Sequence, residues 1–323
     1  MKLSEFDYKL PPELIAQRAK DRSRMMVLDQ GIEDKMFSDI LDHVQKDDVI
    51  VINDTRVRKV LVEGQKESGS RVVFTSLEQL GDLTYKGFIR GRNPKVGTRL
   101  IFQGCEARII ESDKNIFTLE FDSSPDFELP RPPYIKEKVH EEEYQTVYAT
   151  KEGSLAAPTA GLHFTEEIIA SLENKGAVFA RVCLHVGLGT FSPVAEDIEK
   201  HEMHEEDVLI DEENARLINQ RKGRLFIVGT TTMKALETAA DEKGRVHPYC
   251  GSSDLFIYPG YDFKVRPYGF LTNFHLPMSS LLLLVSAYYG KERILEAYRH
   301  AIEENYRFFS LGDCMLMLNS HPQ

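Results

Sequence analysis

The sequence predicts a mixed α/β main domain that carries an inserted small all-β barrel domain. Residues 58–130 consist of short alternating apolar runs broken by glycines, a texture typical of a small barrel. On both sides of that stretch, helical patterns alternate with short apolar strands. Prolines cluster at residues 130–133 and mark a linker. We therefore expect the main domain to comprise residues 1–57 and 131–323.

A helix start and a buried strand precede the insertion. Residues 10–14 contain two prolines that suit the first turn of a helix. Residues 49–52 form an uninterrupted apolar run, typical of a buried strand, which ends in the polar cluster at residues 53–56. Inside the insertion, residues 71–74 and 117–121 are the clearest strand patterns.

Helices and strands alternate after residue 144. Thr165 can cap a helix that runs to Leu172, and the acidic Glu166 and Glu167 suit its first turn. The other predicted elements are strands at residues 178–186, 225–228, 255–258, 270–274, 308–309 and 315–318, and helices at residues 214–220, 233–240, 279–289 and 291–304.

Composition restricts the class of protein. The chain has 323 residues, of which 42% are hydrophobic and 28% charged, as in soluble globular proteins. It contains no apolar run of the roughly 20 residues that a membrane helix needs, and its first residues lack a signal-peptide pattern. The four cysteines are far apart, which favours reduced thiols over disulfides or a zinc cluster. We expect a cytoplasmic protein without a membrane partner.

The charge is unevenly distributed along the chain. The net charge is -11, yet residues 50–110 contain eleven Lys and Arg against six Asp and Glu. That stretch therefore carries +5 and the remainder -16. One interpretation is an ordinary solvated surface, and the other is a basic lobe on an acidic body, able to attract a nucleic acid.

Six polar clusters follow predicted strands or precede predicted helices, where α/β proteins place ligand sites. In one of them His163 stands just before a helix start, a position that lowers the pKa of an imidazole. In another, Thr230 and Thr231 open a helix whose free N–H groups suit a carboxylate or phosphate. The clusters are residues 53–56, 156–165, 185–191, 201–206, 229–232 and 272–277.

Three of these clusters also suggest interpretations that are weaker or purely structural. The glycines of residues 185–191 resemble a dinucleotide loop, but Ser192 occupies the place of the third glycine and Pro193 the start of the helix. His201 and His204 lack the helical spacing of a zinc motif, so we expect no metal. Asp54 beside Arg56 is equally explained as a local ion pair.

Taken together and in this order, the clusters resemble the S-adenosylmethionine:tRNA ribosyltransferase-isomerase family of queuosine biosynthesis. The resemblance covers residues 1–57 and 130–323. It rests mainly on residues 144–148, 157–165, 185–194, 201–205, 229–237, 259–261, 271–277 and 306–315.

The resemblance implies an enzyme that uses S-adenosylmethionine as a co-substrate and tRNA as a partner. It would transfer the ribosyl moiety to 7-aminomethyl-7-deazaguanine at the wobble position and isomerise it, giving epoxyqueuosine with release of adenine and methionine. We also expect a monomer. The alternatives are the same fold with another acceptor, a non-catalytic relative that binds tRNA and S-adenosylmethionine, and a metal-dependent hydrolase.

Candidate residues follow from the resemblance and from the need for a base beside the sulfonium. The acid–base and carboxylate candidates are His163, His185, His204, His275, Asp54, Glu205 and Asp313. The candidates for binding S-adenosylmethionine are Thr159, Phe164, Gly187, Gly189, Thr190, Phe191, Thr230, Thr231 and Asn273. The candidates for contacting RNA are Arg56, Arg90, Arg92, Lys95 and Arg307.

The chain also departs from the family pattern. Lys234 stands where the family usually has an arginine after the threonines, which removes planar bidentate donation. Leu311 replaces a usual tyrosine before Gly312 and Asp313, which removes a hydroxyl.

Overall fold

The structure is a computed structural model that describes residues 1–19, 22–91, 94–130, 134–135, 141–187 and 193–318. The chain forms two compact units, Met1–Val57 with Pro133–Gln323, and Arg58–Pro132. The first contains mixed helices and sheets and the second a closed barrel, so the predicted fold class is confirmed. In the described part of the chain, no helix has the length and apolar character needed to span a membrane.

The described strands, in chain order, are β1 Arg24–Leu28, β2 Ile32–Met36, β3 Val49–Asn53, β4 Thr55–Val57, β5 Leu61–Lys66, β6 Arg71–Gly81, β7 Thr84–Gly91, β8 Arg99–Phe102, β9 Cys105–Asp113, β10 Ile116–Phe121, β11 Lys151–Ser154, β12 Val178–Leu184, β13 Glu206–Ile210, β14 Leu225–Val228, β15 Tyr249–Ser253, β16 Gly269–Asn273 and β17 Cys314–Leu318. The α-helices are α1 Ile40–His43, α2 Glu166–Asn174, α3 Glu212–Asn219, α4 Thr230–Ala239, α5 Ser280–Tyr289 and α6 Lys291–Glu303.

The main unit is organised around one large sheet with the described strand order β15-β13-β12-β3-β14-β16-β17-β1-β2. Its four central strands, β12, β3, β14 and β16, are parallel, and β17 runs antiparallel to β16. The carboxyl ends of these four strands therefore meet at one edge of the sheet, and the loop before β17 reaches the same edge.

Side chains of β3 alternate between two apolar cores, one on each face of the sheet. Val49 and Val51 belong to the core that includes α4, α5 and α6. Ile50 and Ile52 belong to the core that includes Phe37 and the helix α2. Because both faces are covered, β3 is apolar at every position until Asn53, as the sequence indicated.

The second unit is a closed barrel with the strand order β10-β7-β6-β5-β8-β9. Alternate residues of its strands point inward and form a separate core that includes Val72, Phe74 and Leu119. All neighbouring strands are antiparallel. Antiparallel strands joined by short turns match the frequent glycines of this stretch.

Most predicted elements are present, but four local predictions were wrong. Residues 255–258 are not a strand, because all four side chains pack against the same apolar core instead of alternating between two faces. Residues 10–14 yield a single 3-10 turn at Pro12–Leu14. Residues 308–309 contribute only an isolated bridge to Ile15. The helix predicted from residue 233 begins at Thr230.

Candidate functional site

A cleft lies at the carboxyl edge of the parallel strands of the main unit. The cavity has a volume of about 80 Å³ and is partly open to solvent. Its walls are residues 156–160, the first turn of α4, the end of β16 and the residues just before β17. None of the described residues that line it is an Asp, Glu, Lys or Arg. The cleft therefore presents hydroxyl, amide and imidazole groups rather than formal charges.

The structure brings five of the predicted site residues to this cleft: Thr159, Thr230, Thr231, Asn273 and His275. Four polar lining residues were not predicted from the sequence, namely Tyr144, Thr272, Ser279 and Ser310. Tyr144, Thr272 and Ser310 lie inside segments that carry the family resemblance, and Thr272 also begins the polar cluster at residues 272–277. Ser279 was predicted as the first residue of a helix, and in the structure it caps α5.

The start of α4 forms one wall of the cleft. Gly229 precedes the helix with φ +88°, a conformation that a residue with a side chain adopts only under strain. The glycine N–H donates to the carbonyl of Leu271 at 2.8 Å, which fixes the helix start against β16. Because Gly229 has no side chain, it does not cap the first-turn N–H groups.

Asn273 and His163 form a fixed pair at the second wall. The amide Nδ2 of Asn273 donates to the carbonyls of Phe309 and Ser310, each at 3.1 Å. Its Oδ1 therefore faces Nε2 of His163 at 3.1 Å, and because an amide oxygen only accepts, Nε2 carries the proton. His163 is buried and stacks on Phe37 behind Asn273.

His163 is neutral, as the sequence indicated, but for a different main reason. Burial lowers the pKa of His163 to about 4, and the hydrogen bond with Asn273 opposes that shift. Desolvation rather than the nearby helix start is thus the dominant cause.

His275 is the one histidine of the described chain that lines the cleft. Its Nε2 lies 3.3 Å from the hydroxyl of Thr272, and burial lowers the pKa of His275 to about 3. Its backbone is held on both sides, since its N–H donates to the hydroxyl of Tyr298 at 2.8 Å and the hydroxyl of Tyr8 donates to its carbonyl. The cleft thus contains a neutral imidazole on a fixed backbone.

Asp54, Arg56 and His185 lie outside the cleft lining. Asp54 accepts from Nζ of Lys151 at 3.1 Å and from the hydroxyl of Thr150 at 2.8 Å. Arg56 pairs with Glu141 at 2.7 Å, so it does not form the local ion pair with Asp54 that the sequence allowed. His185 places Nδ1 2.7 Å from the hydroxyl of Thr55 and packs against Gly153.

Asp313 is buried and forms an ion pair with the half-buried Arg307. Asp313 accepts the backbone N–H groups of Arg24 and Arg307 at 3.0 and 2.8 Å. The guanidinium of Arg307 lies 3.4 Å from the same carboxylate and also donates to the carbonyl of Arg18. These bonds tie the loop before β17 to the N-terminal segment and leave neither side chain in the cleft.

The remaining predicted residues are distributed as follows. Phe164 is buried in the apolar core against Phe37, and His204 and Glu205 are exposed. The N–H of Gly187 donates to Glu206 at 3.1 Å. The predicted residues Arg92, Gly189, Thr190 and Phe191 lie outside the described residues.

Glu206 and Lys234 are an unpredicted buried ion pair beside the cleft. Their side chains are 6% and 8% exposed and meet at 3.0 Å. Glu206 also accepts from the N–H of Gly187, which directly follows the cleft-lining Val186. The pair therefore connects α4 to this edge of the cleft.

A largely uncharged cleft at the carboxyl edge of parallel strands defines the molecule as a ligand-binding α/β protein with an inserted barrel. The profile of the family described as queuosine biosynthesis protein matches residues 3–317. The chain belongs to that family, and it is an enzyme of the ribosyltransferase-isomerase class.

Individual relatives agree with this assignment. Proteins named S-adenosylmethionine:tRNA ribosyltransferase-isomerase from Desulforamulus reducens and Acetivibrio thermocellus are 44% and 45% identical, over 98% of this chain and all of each relative. The crystal structure of an S-adenosylmethionine tRNA ribosyltransferase from Thermotoga maritima is similar with a TM-score of 0.57 and 35% identity. That similarity covers 97% of this chain and 100% of the other.

Proposed function

We propose that this enzyme transfers the ribosyl moiety of S-adenosylmethionine to 7-aminomethyl-7-deazaguanine at the wobble position of tRNA and isomerises it. The products are epoxyqueuosine in the tRNA, adenine and methionine. Membership of the family supports the reaction class. The observation that carries the proposal is the cleft, which joins a helix start suited to a carboxylate, a fixed amide and one neutral imidazole.

The proposed reaction needs chemical groups that the lining of the cleft provides. Removal of a proton from the carbon beside the sulfonium needs an unprotonated base, and neutral His275 meets that requirement. The uncharged hydroxyl and amide groups of the cleft suit the ribose and the nucleobase of the co-substrate. In this proposal His163 acts on the site through Asn273, because it lies behind that residue.

The test is incubation of the purified protein with S-adenosylmethionine and tRNA that carries the 7-aminomethyl-7-deazaguanine precursor. We expect adenine and methionine in equal amounts, a matching mass increase in the tRNA, and no effect of chelators. A control tRNA with guanine at the wobble position should give no release. Formation of S-adenosylhomocysteine with a methylated RNA would refute the proposal.

A further inference from the structure

The side chain of Asn53, which was not among the predicted site residues, uses all of its hydrogen-bonding capacity in fixed directions. It lies at the carboxyl end of β3 and is 1% exposed. Its Oδ1 accepts from the N–H groups of Leu184 at 3.0 Å and Thr55 at 3.2 Å. Its Nδ2 donates to the carbonyl of Leu184 at 3.0 Å and to Oγ1 of Thr231 at 3.1 Å. If the amide were flipped, its NH₂ group would face the N–H groups of Leu184 and Thr55, which are also donors. The orientation of the amide is therefore determined.

The fixed amide determines the direction of the Thr231 hydroxyl. A hydroxyl has one hydrogen, and the oxygen of Thr231 already accepts a hydrogen bond from Asn53. Thr232 on the same helix donates back to the carbonyl of Val228, but among the described residues no such acceptor is found for Thr231. Because Thr231 lines the cleft, its hydrogen is available to an acceptor bound there.

Thr230 adds a second donor at the same point. It is 7% exposed, it lines the cleft, and its hydroxyl has no partner among the described residues. The two hydroxyls stand at the first turn of a ten-residue helix whose preceding residue, Gly229, provides no side-chain cap. A helix start of this kind attracts negative charge, and no acidic side chain among the described residues lines the cleft to oppose it.

We propose that the start of α4 binds the carboxylate of the methionine part of S-adenosylmethionine, and that Asn53 is a positioning residue that turns the Thr231 hydroxyl toward it. A carboxylate is favoured over a phosphate because no Lys or Arg of the described chain lines the cleft. This inference rests on the proposed function and adds which part of the co-substrate binds at this wall.

The test compares two ligands that differ only in the carboxylate, S-adenosylmethionine and its decarboxylated analogue. Calorimetric titration gives the dissociation constant of each. We expect Thr231→Val to weaken S-adenosylmethionine roughly 10-fold, as loss of a hydrogen bond to a charged group does, and the analogue less than about 2-fold. The matched control is Thr232→Val, whose hydroxyl is bonded to Val228 and should not affect either ligand.

Asn53→Asp tests the polarity of the network. An aspartate accepts from Thr231 instead of donating to it, so the hydroxyl is turned away from the ligand and a negative charge is added nearby. We expect S-adenosylmethionine to bind about 100-fold more weakly, with a much smaller effect on the analogue. If this variant does not fold, Thr231→Val still decides the question.

The possible failures are distinguishable. Equal weakening of both ligands by Thr231→Val, or no weakening of either, overturns the inference while turnover by the wild-type protein preserves the proposed function. A second result would also overturn the inference. Inorganic phosphate would displace S-adenosylmethionine, and Thr231→Val would leave the affinity difference between S-adenosylmethionine and its analogue unchanged. The helix start would then be a phosphate site. If the wild-type protein neither binds nor consumes S-adenosylmethionine, both fail.

Discussion

At the scale of single residues, the two buried histidines of the site have different positions. Both are neutral because burial lowers their pKa values, to about 3 for His275 and about 4 for His163. His275 lines the cleft, whereas His163 is separated from it by Asn273. Of the two, only His275 is among the described residues that line the cleft.

His275→Gln should lower turnover by roughly 100-fold or more, as loss of a positioned base does. Single-turnover release of adenine at saturating substrate measures the effect, and circular dichroism verifies the fold. The control is His247→Gln, because His247 pairs with Asp241 on the surface and should not affect the rate. A folded His275→Gln enzyme that retains a third of the activity would move the base elsewhere.

His163→Gln and His163→Leu separate positioning from proton transfer. Glutamine can still donate to Oδ1 of Asn273, so we expect turnover within about 3-fold of wild type and an unchanged pH profile. Leucine leaves that oxygen without its donor, and we expect KM for S-adenosylmethionine to rise about 10-fold. If both variants lost turnover even at saturating substrate, His163 would be a proton-transfer group.

At the scale of elements, sequence patterns located the helices α2 to α6 and seven of the seventeen described strands, but not the side-chain pairs that connect them. Thr165 was predicted as a cap, and its hydroxyl does accept from the N–H of Ile168. The strand β2 was missed because its residues alternate weakly and are half-exposed or exposed. Asn53 was visible only as part of a polar cluster, since its bond to Thr231 joins residues 178 positions apart.

The ion pair between Glu206 and Lys234 should be essential for the stability of α4. Lys234→Met leaves a buried carboxylate without its cation, which costs about 3 to 5 kcal/mol of unfolding free energy. Urea denaturation measures the loss. The exposed pair of Lys200 and Asp197 is the control, since Lys200→Met should cost less than about 1 kcal/mol. Comparable losses in both variants would show that burial of the pair is unimportant.

At the scale of the whole molecule, the sequence predicted the fold class but not the order of strands. The insertion was evident because its texture changes within a few residues. The sheet order was not, because β1 pairs with β17 across nearly the whole chain and local periodicity contains no information on that contact. The same limit explains why the sequence did not indicate that Asp313 accepts from the backbone of Arg24 and pairs with the guanidinium of Arg307.

Two cations of the predicted basic surface lack an ion pair in the described part of the barrel unit, and their role can be tested by the salt dependence of tRNA binding. Arg90 and Lys95 have no ion pair among the described residues, and both are exposed. Arg71 and Arg99 are paired with Glu63 and with Glu106. We propose that the unpaired cations contact tRNA phosphates, because unpaired cations attract a polyanion more strongly than neutralised ones do.

Replacing both Arg90 and Lys95 with Ala should therefore weaken tRNA binding and leave the affinity for S-adenosylmethionine unchanged. Affinity falls as salt rises, and each lost phosphate contact makes the slope of log affinity against log salt less steep by roughly 0.7 to 0.9. The slope of the double variant should therefore be less steep than that of wild type by roughly 1.4 to 1.8. The matched control replaces Arg71 and Arg99, which removes the same formal charge from paired positions and should change the slope much less. Filter binding of tRNA across a salt series measures both variants. If the slopes of both double variants were equally reduced relative to wild type, tRNA binding would respond only to net charge. If both double variants had the slope of wild type, the RNA contacts would lie away from these four residues.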